Sequence, residues 1–259
     1  MRGFVLAKEA QTSHAAALPD NGDSWMPPIY NRSRSVTLDT NKLTRNRVLT
    51  DTADLAQIES YKILRAQVLH RTREKGWRTI MVTSPYPGEG KTLTTINLGV
   101  TFAKEFNQTV LMVDGDLRRQ KMHQYLGLQS DSGLVDHLID NRPLSELIVW
   151  PGIEKLTLIS GGKCIRDSSE YLGSPKMKSV VQEMKKRYED RFILFDVPPI
   201  LTGADTIAFA PYVDCILMVI QADRTTRQDI RNSLALIPEE KFMGFILNRY
   251  NNRNQTYYY

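Results

Sequence analysis

The sequence predicts an α/β fold: a mostly parallel sheet with helices on both faces. Three observations predict it. From Trp77 onward, short apolar runs alternate with helical stretches. Those runs are continuously apolar rather than alternating, as strands covered on both faces are. The first of them, over 79–83, enters the Pro- and Gly-rich loop SPYPGEGKT, and Lys91-Thr92 then opens a helix.

Strands are expected over 79–83, 110–113, 156–159, 192–195, 215–220 and 244–247. Helices are expected between them, over roughly 91–106, 119–126, 133–139, 174–188, 204–210 and 226–236. One more helix is expected at about 53–73, capped by Asp51-Thr52. Its apolar stripe runs through Leu55, Ile58, Tyr61, Ile63-Leu64 and Val68. Ahead of it, residues 1–50 show little periodicity and read as a mostly disordered or loosely docked basic segment. Residues 51–248 would then be the folded domain and 249–259 a tyrosine-rich tail.

The strand, loop and helix around Lys91 have the form of a P-loop. Backbone N–H groups at a helix N-terminus, freed by Gly88 and Gly90, can wrap a polyphosphate. Lys91 can reach the outer phosphates, and the Thr92 hydroxyl can hold Mg²⁺. Pro87, Gly88, Glu89, Gly90, Lys91, Thr92 and Leu93 are therefore candidate nucleotide-binding residues. The usual pattern, G-x-x-x-x-G-K-[ST], puts Gly at position 85, where this chain has Pro85. Two further stretches support the reading. TVLMVDGDLRR ends a strand in Asp114 and Asp116, and RFILFDVPPI ends another in Asp196. Carboxylates at the C-terminal ends of parallel strands face the crevice where such a sheet binds its ligand. The three would converge on a metal and the γ-phosphate. The bland alternative is that each Asp is a turn former. Asn248, ending the last strand on the same sheet edge, has a donor and an acceptor for an adenine edge, or is itself only a turn former.

The 259 residues can bury a sizeable core. The first eighty residues hold 13 Lys and Arg against 8 Asp and Glu, and the rest is balanced at 21 and 21. A neutral globular part argues against a nucleic-acid grip. The basic segment would suit an anionic lipid or an acidic partner, or be a solvated linker. Two cysteines, Cys164 and Cys215, imply no disulfide framework. The opening MRGFVLAKEA has only four apolar residues before Lys8 and Glu9, too few for a signal-peptide core, and no apolar run is long enough to cross a bilayer. The expectation is a cytoplasmic protein that meets the inner face of the plasma membrane through a partner. Four of its eleven tyrosines, Tyr250, Tyr257, Tyr258 and Tyr259, lie in RYNNRNQTYYY. A polar tail cannot bury three adjacent rings, so they are either an end of no consequence or substrates.

Taken in order, SPYPGEGKT, LMVDGDLRR, ILFDVPP and the tyrosine-rich tail resemble the bacterial tyrosine kinases, P-loop autokinases of capsule and exopolysaccharide loci. The resemblance covers about Glu59 to Tyr259 and is greatest to the soluble form, whose membrane-spanning activator is a separate chain. RDSSEYLGS, at 166–174, is similar to a segment of the exosortase-associated branch. The resemblance implies ATP and Mg²⁺, with Lys91 and Thr92 serving phosphate and metal. Asp114 and Asp196 would hold the metal, and Asp116 would help deprotonate the incoming tyrosine. It also implies that Tyr250 and Tyr257–Tyr259 accept phosphate, and that a tyrosine phosphatase removes it. A homo-oligomer and a membrane-embedded polysaccharide co-polymerase as activator are implied as well. The family's oligomerisation motif, E-x-x-R-x-x-R, is matched by Glu59, Lys62 and Arg65, with Lys at the middle place. Arg118 and Arg119 would add positive field or be solvated. Two alternatives remain at this point. One is a switch ATPase of the partitioning and septum-positioning kind, although those carry a lysine early in the P-loop where this chain has Tyr86. The other is a non-catalytic, nucleotide-bound regulator of the co-polymerase.

Overall fold

The computed structural model describes residues 34–50, 53–105 and 107–250. Eight strands form one sheet. In chain order they are β1 (Arg34–Ser35), β2 (Thr79–Thr83), β3 (Thr109–Asp114), β4 (Ile148–Trp150), β5 (Leu156–Ile159), β6 (Arg191–Asp196), β7 (Cys215–Gln221) and β8 (Phe242–Asn248). Across the sheet they run β1-β4-β5-β3-β6-β2-β7-β8. Every pairing is parallel except β4 with β5.

The six expected strands are all present. The two unexpected ones, β1 and β4, have two and three residues, too few to show a period. Residues 34–50 lie in the segment expected to be mostly disordered or loosely docked. In the structure they pair β1 with β4 and bury Leu43, Val48 and Leu49.

The helices are α1 (Thr40–Arg45), α2 (Leu55–Lys75), α3 (Lys91–Ala103), α4 (Met122–Leu126), α5 (Leu134–Asp140), α6 (Leu144–Leu147), α7 (Ser168–Leu172), α8 (Pro175–Arg187), α9 (Asp205–Phe209) and α10 (Arg227–Leu234). Local chemistry sets their ends. Asp54 caps α2 through the N–H of Ala56, and Gly76, left-handed at φ 64°, stops it. Ser174 caps α8 with Pro175 in its first turn, and Thr226 closes a capping box with Asp229 on α10.

Strand side chains alternate between two cores. Met81, Leu111, Val113, Ile193, Phe195, Ile216 and Met218 face α5, α8 and α9, whereas Ile80, Val82, Val110, Met112, Leu194, Leu217 and Val219 face α2, α3 and α4. Covered on both faces, the central strands present chemistry only at their ends. β2, β3 and β6 are adjacent, and their C-terminal ends carry the P-loop, Asp114 and Asp196. No helix among the described residues is long and apolar enough to cross a membrane.

Candidate active site

The P-loop leaves β2 at Ser84 and delivers Lys91 and Thr92 as the first two residues of α3. Gly88 and Gly90 take φ values of 85° and 99°, in the left-handed region that side chains disfavour. At Gly90 there is also no room, since an added Cβ would lie 2.0 Å from the Asn248 amide nitrogen. That amide donates to the Glu89 carbonyl at 2.8 Å, so β8 braces the loop from behind. The Glu89 side chain points the same way: it accepts from the Tyr86 N–H at 2.9 Å and from the Thr225 hydroxyl at 2.5 Å. Leu93 packs against the core on the α3 side of the sheet.

The Lys91 ammonium lies 3.0 Å from Asp116 Oδ2 and 3.1 Å from Asp196 Oδ1. The Thr92 hydroxyl donates to the other Asp196 oxygen at 2.6 Å. Lys91, Thr92, Asp116 and Asp196 thus form one contiguous buried cluster. Asp114 sits opposite Asp196 in the β3–β6 register, fully buried. Its oxygens accept from the N–H groups of Asp116, Lys121 and Met122 at 3.2, 3.2 and 3.0 Å. Asp116 likewise accepts from the Arg119 N–H at 3.0 Å. These bonds explain a boundary. The helix expected from Arg119 begins at Met122, because the two acids draw the preceding backbone donors toward themselves.

Electrostatics follow from burial. Removal from water, reinforced by the charge of Asp196, pushes the Asp114 carboxyl up to about 8. Asp196 is also raised by burial, with Lys91 and Thr92 offsetting part of the effect. Burial alone would lower the Lys91 ammonium, but Asp196 and Asp116 outweigh it and hold it at about 12. Lys91 is therefore a permanent cation.

In front of the cluster lies a cavity of about 360 Å³. Gly88, Gly90, Lys91 and Thr92 line it on one side and Arg118, Arg119, Lys121 and Tyr125 on another. Pro198, Pro199 and Thr202, from the loop after β6, close a third side. Arg249 completes the lining where the chain leaves β8, and Tyr250 follows it, 63% exposed. Tyr257, Tyr258 and Tyr259 lie outside the described residues.

On α2, Glu59 and Lys62 pair at 2.6 Å, whereas Arg65 turns inward to Glu105 at 2.9 Å and to the Thr101 carbonyl at 3.0 Å. Both arginines of LRR line the cavity, and they differ in what holds them. Arg119 lines the cavity from an exposed position, and Arg118 is tied to Ser168 and Asp205. Sequence reasoning gave no role to Ser168, Asp205, Tyr125 or Thr202. The only signal was that Ser168 lies in RDSSEYLGS; an Asp in the first turn of a helix, as Asp205 is, reads as a helix-end residue.

The residues fit a Mg²⁺–nucleotide. Loop glycines open the cradle, a helix N-terminus faces it, and its side chains offer one fixed cation and hard oxygen donors. No cluster of three or more acidic, His or Cys side chains among the described residues would hold a metal alone. Mg²⁺ typically takes one or two protein oxygens and completes its shell with phosphate and water, and the adjacent Thr92 and Asp196 oxygens offer that number.

The fold and this cradle define a P-loop nucleotide-binding domain. A family model described as AAA domain matches residues 77–241, and the chain belongs to that family. Among named relatives it is similar to CapB of Staphylococcus aureus, 28% identical over 78% of this chain and 88% of that one. It is also similar to the tyrosine-protein kinase YwqD of Bacillus subtilis, 26% identical over 80% of this chain and 87% of the relative. A third, the tyrosine-protein kinase ptk of Acinetobacter johnsonii, is 28% identical over 76% of this chain, which spans only 27% of that relative. Among solved structures, the VpsO kinase domain superposes with a TM-score of 0.67 at 26% identity, over 76% of this chain and 97% of that one. The septum site-determining protein MinD of Pyrococcus horikoshii, complexed with Mg-ADP, gives 0.55 at 26% identity, over 67% and 70%.

Proposed function

We propose that the chain is an ATP-dependent protein-tyrosine autokinase that transfers the γ-phosphate of ATP to its own tail tyrosines. One observation carries the proposal. β8 releases the chain at the phosphate cavity, with Arg249 in the lining and Tyr250 exposed beside it. The nine residues that follow can extend about 30 Å, enough to bring a phenol to this cavity or to a neighbour's.

In the reaction, a tyrosine oxygen forms a bond to the γ-phosphorus, the bond from that phosphorus to the bridging oxygen breaks, and ADP leaves. A phenol with a pKa near 10 is a poor nucleophile at neutral pH. Asp116, at the cavity wall, takes its proton. Lys91 and the N-terminus of α3 meet the negative phosphates. Thr92 and Asp196 offer the oxygens that would hold Mg²⁺, with Asp114 behind them; the ion when bound would neutralise phosphate charge.

Kinship with capsule and exopolysaccharide kinases supports a place in regulating polymer assembly and export. A membrane-embedded co-polymerase would be the activator, a phosphatase would reset the tail, and attachment to the membrane would run through that partner. Each phosphate adds nearly two negative charges, so three adjacent phosphotyrosines would repel one another and could switch assembly. Glu59 and Lys62 remain candidates for contacts between copies.

The competing reading is a switch ATPase like MinD, whose TM-score is the lower of the two. Purified protein incubated with ATP and Mg²⁺, alone and with the cytoplasmic segment of an activator, is to be mapped for phosphate by mass spectrometry. Phosphate should appear on Tyr257–Tyr259 and disappear in Lys91→Met. Changing the three tyrosines to Phe should remove most self-labelling and leave ATP affinity within about twofold, because a substrate does not hold the nucleotide. ATP hydrolysis without phosphotyrosine in either condition would favour the switch.

A further inference from the structure

We propose that Ser168 and Asp205 are positioning residues: they lock the Arg118 guanidinium on the cavity wall, where its remaining N–H groups stabilise charge on the phosphoryl group in transfer. The inference rests on the kinase reading above and adds two residues to its machinery.

Arg118 reaches the cavity from the loop after β3, while Ser168 opens α7 and Asp205 opens α9. The Arg118 Nε–H donates to Ser168 Oγ at 2.7 Å, and its Nη2 lies 3.2 Å from Asp205 Oδ2. The Ser168 hydroxyl donates in turn to Asp205 Oδ1. Both anchors are buried, Ser168 at 0% and Asp205 at 1% exposure, whereas the Arg118 side chain is 44% exposed. Arg118 is thus the exposed end of a buried polar chain. Gly203 packs against the pair: an added Cβ would lie 3.0 Å from Asp205 Oδ2 and 3.6 Å from Arg118 Nη1.

A guanidinium has five N–H donors in a rigid fork. Ser168 takes Nε, and Asp205 Oδ2 faces Nη2 as an ion-pair partner with no hydrogen bond of its own, which leaves Nη1 outside both anchors on a side chain that lines the cavity. A free arginine on a loop would have to be ordered at each turnover. One held at two points is already placed, and charge stabilisation by placed donors needs no reorganisation. The anchors come from α7 and α9, neither of which carries any of the P-loop or metal-side residues. RDSSEYLGS thereby gains a role, since its first serine fixes a cation at the site.

The test uses the full chain with ATP and Mg²⁺, with and without the activator segment, and reads the rate of tail labelling against ATP concentration. Ser168→Ala should lower kcat about tenfold with the ATP KM within about twofold, and Arg118→Ala should lower kcat about a hundredfold. The double variant should be no slower than Arg118→Ala within about threefold, because residues acting through one group are not additive. Arg118→Lys, which keeps the charge and lacks the Nε–H, guards against loss of fold; in that background Ser168→Ala should change nothing further. Wild-type kcat in Ser168→Ala, losses that multiply in the double variant, or a change confined to the ATP KM would overturn the assignment and make the cluster a tie between loops. Wild-type protein that labels no tyrosine in either condition would instead overturn the kinase reading, and this role with it.

Discussion

Gly90 and Asp114 show how single residues set the site. Gly90 needs both its left-handed backbone and its missing Cβ, since Asn248 occupies the space a methyl would take. Gly90→Ala should therefore weaken nucleotide binding by at least tenfold and destabilise the fold by about 1–3 kcal/mol. Calorimetric titration and chemical denaturation check the two effects. Asp114 makes a pH-dependent prediction. Its folded pKa of about 8 lies above the ordinary 3.8, so the folded state holds a proton that the unfolded chain releases. Such a group contributes stability fully below its unfolded pKa and loses it as pH rises through the folded one. The wild type should lose stability relative to Asp114→Asn between about pH 4 and 8, and denaturant melts across that range would show it. Parallel curves would contradict it. Lys91, Thr92, Asp116 and Asp196 were legible in the sequence because each stands at, or within two residues of, a strand end or helix start whose chemistry is local. Ser168 and Asp205 were not, because they lie 50 and 87 positions from Arg118 and meet it only through tertiary packing.

At the level of elements, α2 is tied to α3 by Arg65. Its guanidinium joins Glu105 and the Thr101 carbonyl at the far end of α3, so the third member of the E-x-x-K-x-x-R line is already engaged within its own chain. Arg65→Ala should cost about 1–2 kcal/mol, a fall of roughly 2–8 °C in Tm, by calorimetry. If Arg65 served only contacts between copies, Tm at high dilution would not move. Strand β7 makes a second prediction. Burial in it pushes the Cys215 thiol well up, whereas Cys164 is exposed. Iodoacetamide should label Cys164 alone in the native protein and both residues in denaturant. The bounds of α2, α3 and α8 were readable from sequence to within a few residues, although Leu55 and Ile63 of the apolar stripe expected on α2 are exposed. The short β1 and β4 were not, and α4 starts late because Asp114 and Asp116 claim its leading N–H groups.

Over the whole molecule, the parallel order β3-β6-β2-β7-β8 brings phosphate loop, acids and chain exit to one edge. None of these parts would be an active site alone. The sheet makes them one by placing the start of the tail at the cavity in which Lys91 and Asp116 sit. The alternation of apolar runs made this architecture readable, whereas the turn at the end of β8 is made by Arg249, a non-glycine residue at φ 57° that no pattern announces. The most direct test of the account is the fate of the γ-phosphate of labelled ATP. The label should pass to tail tyrosines in the wild type and fall to background in Lys91→Met and Asp116→Asn. Label released entirely as inorganic phosphate, with every tail tyrosine unmodified, would contradict it.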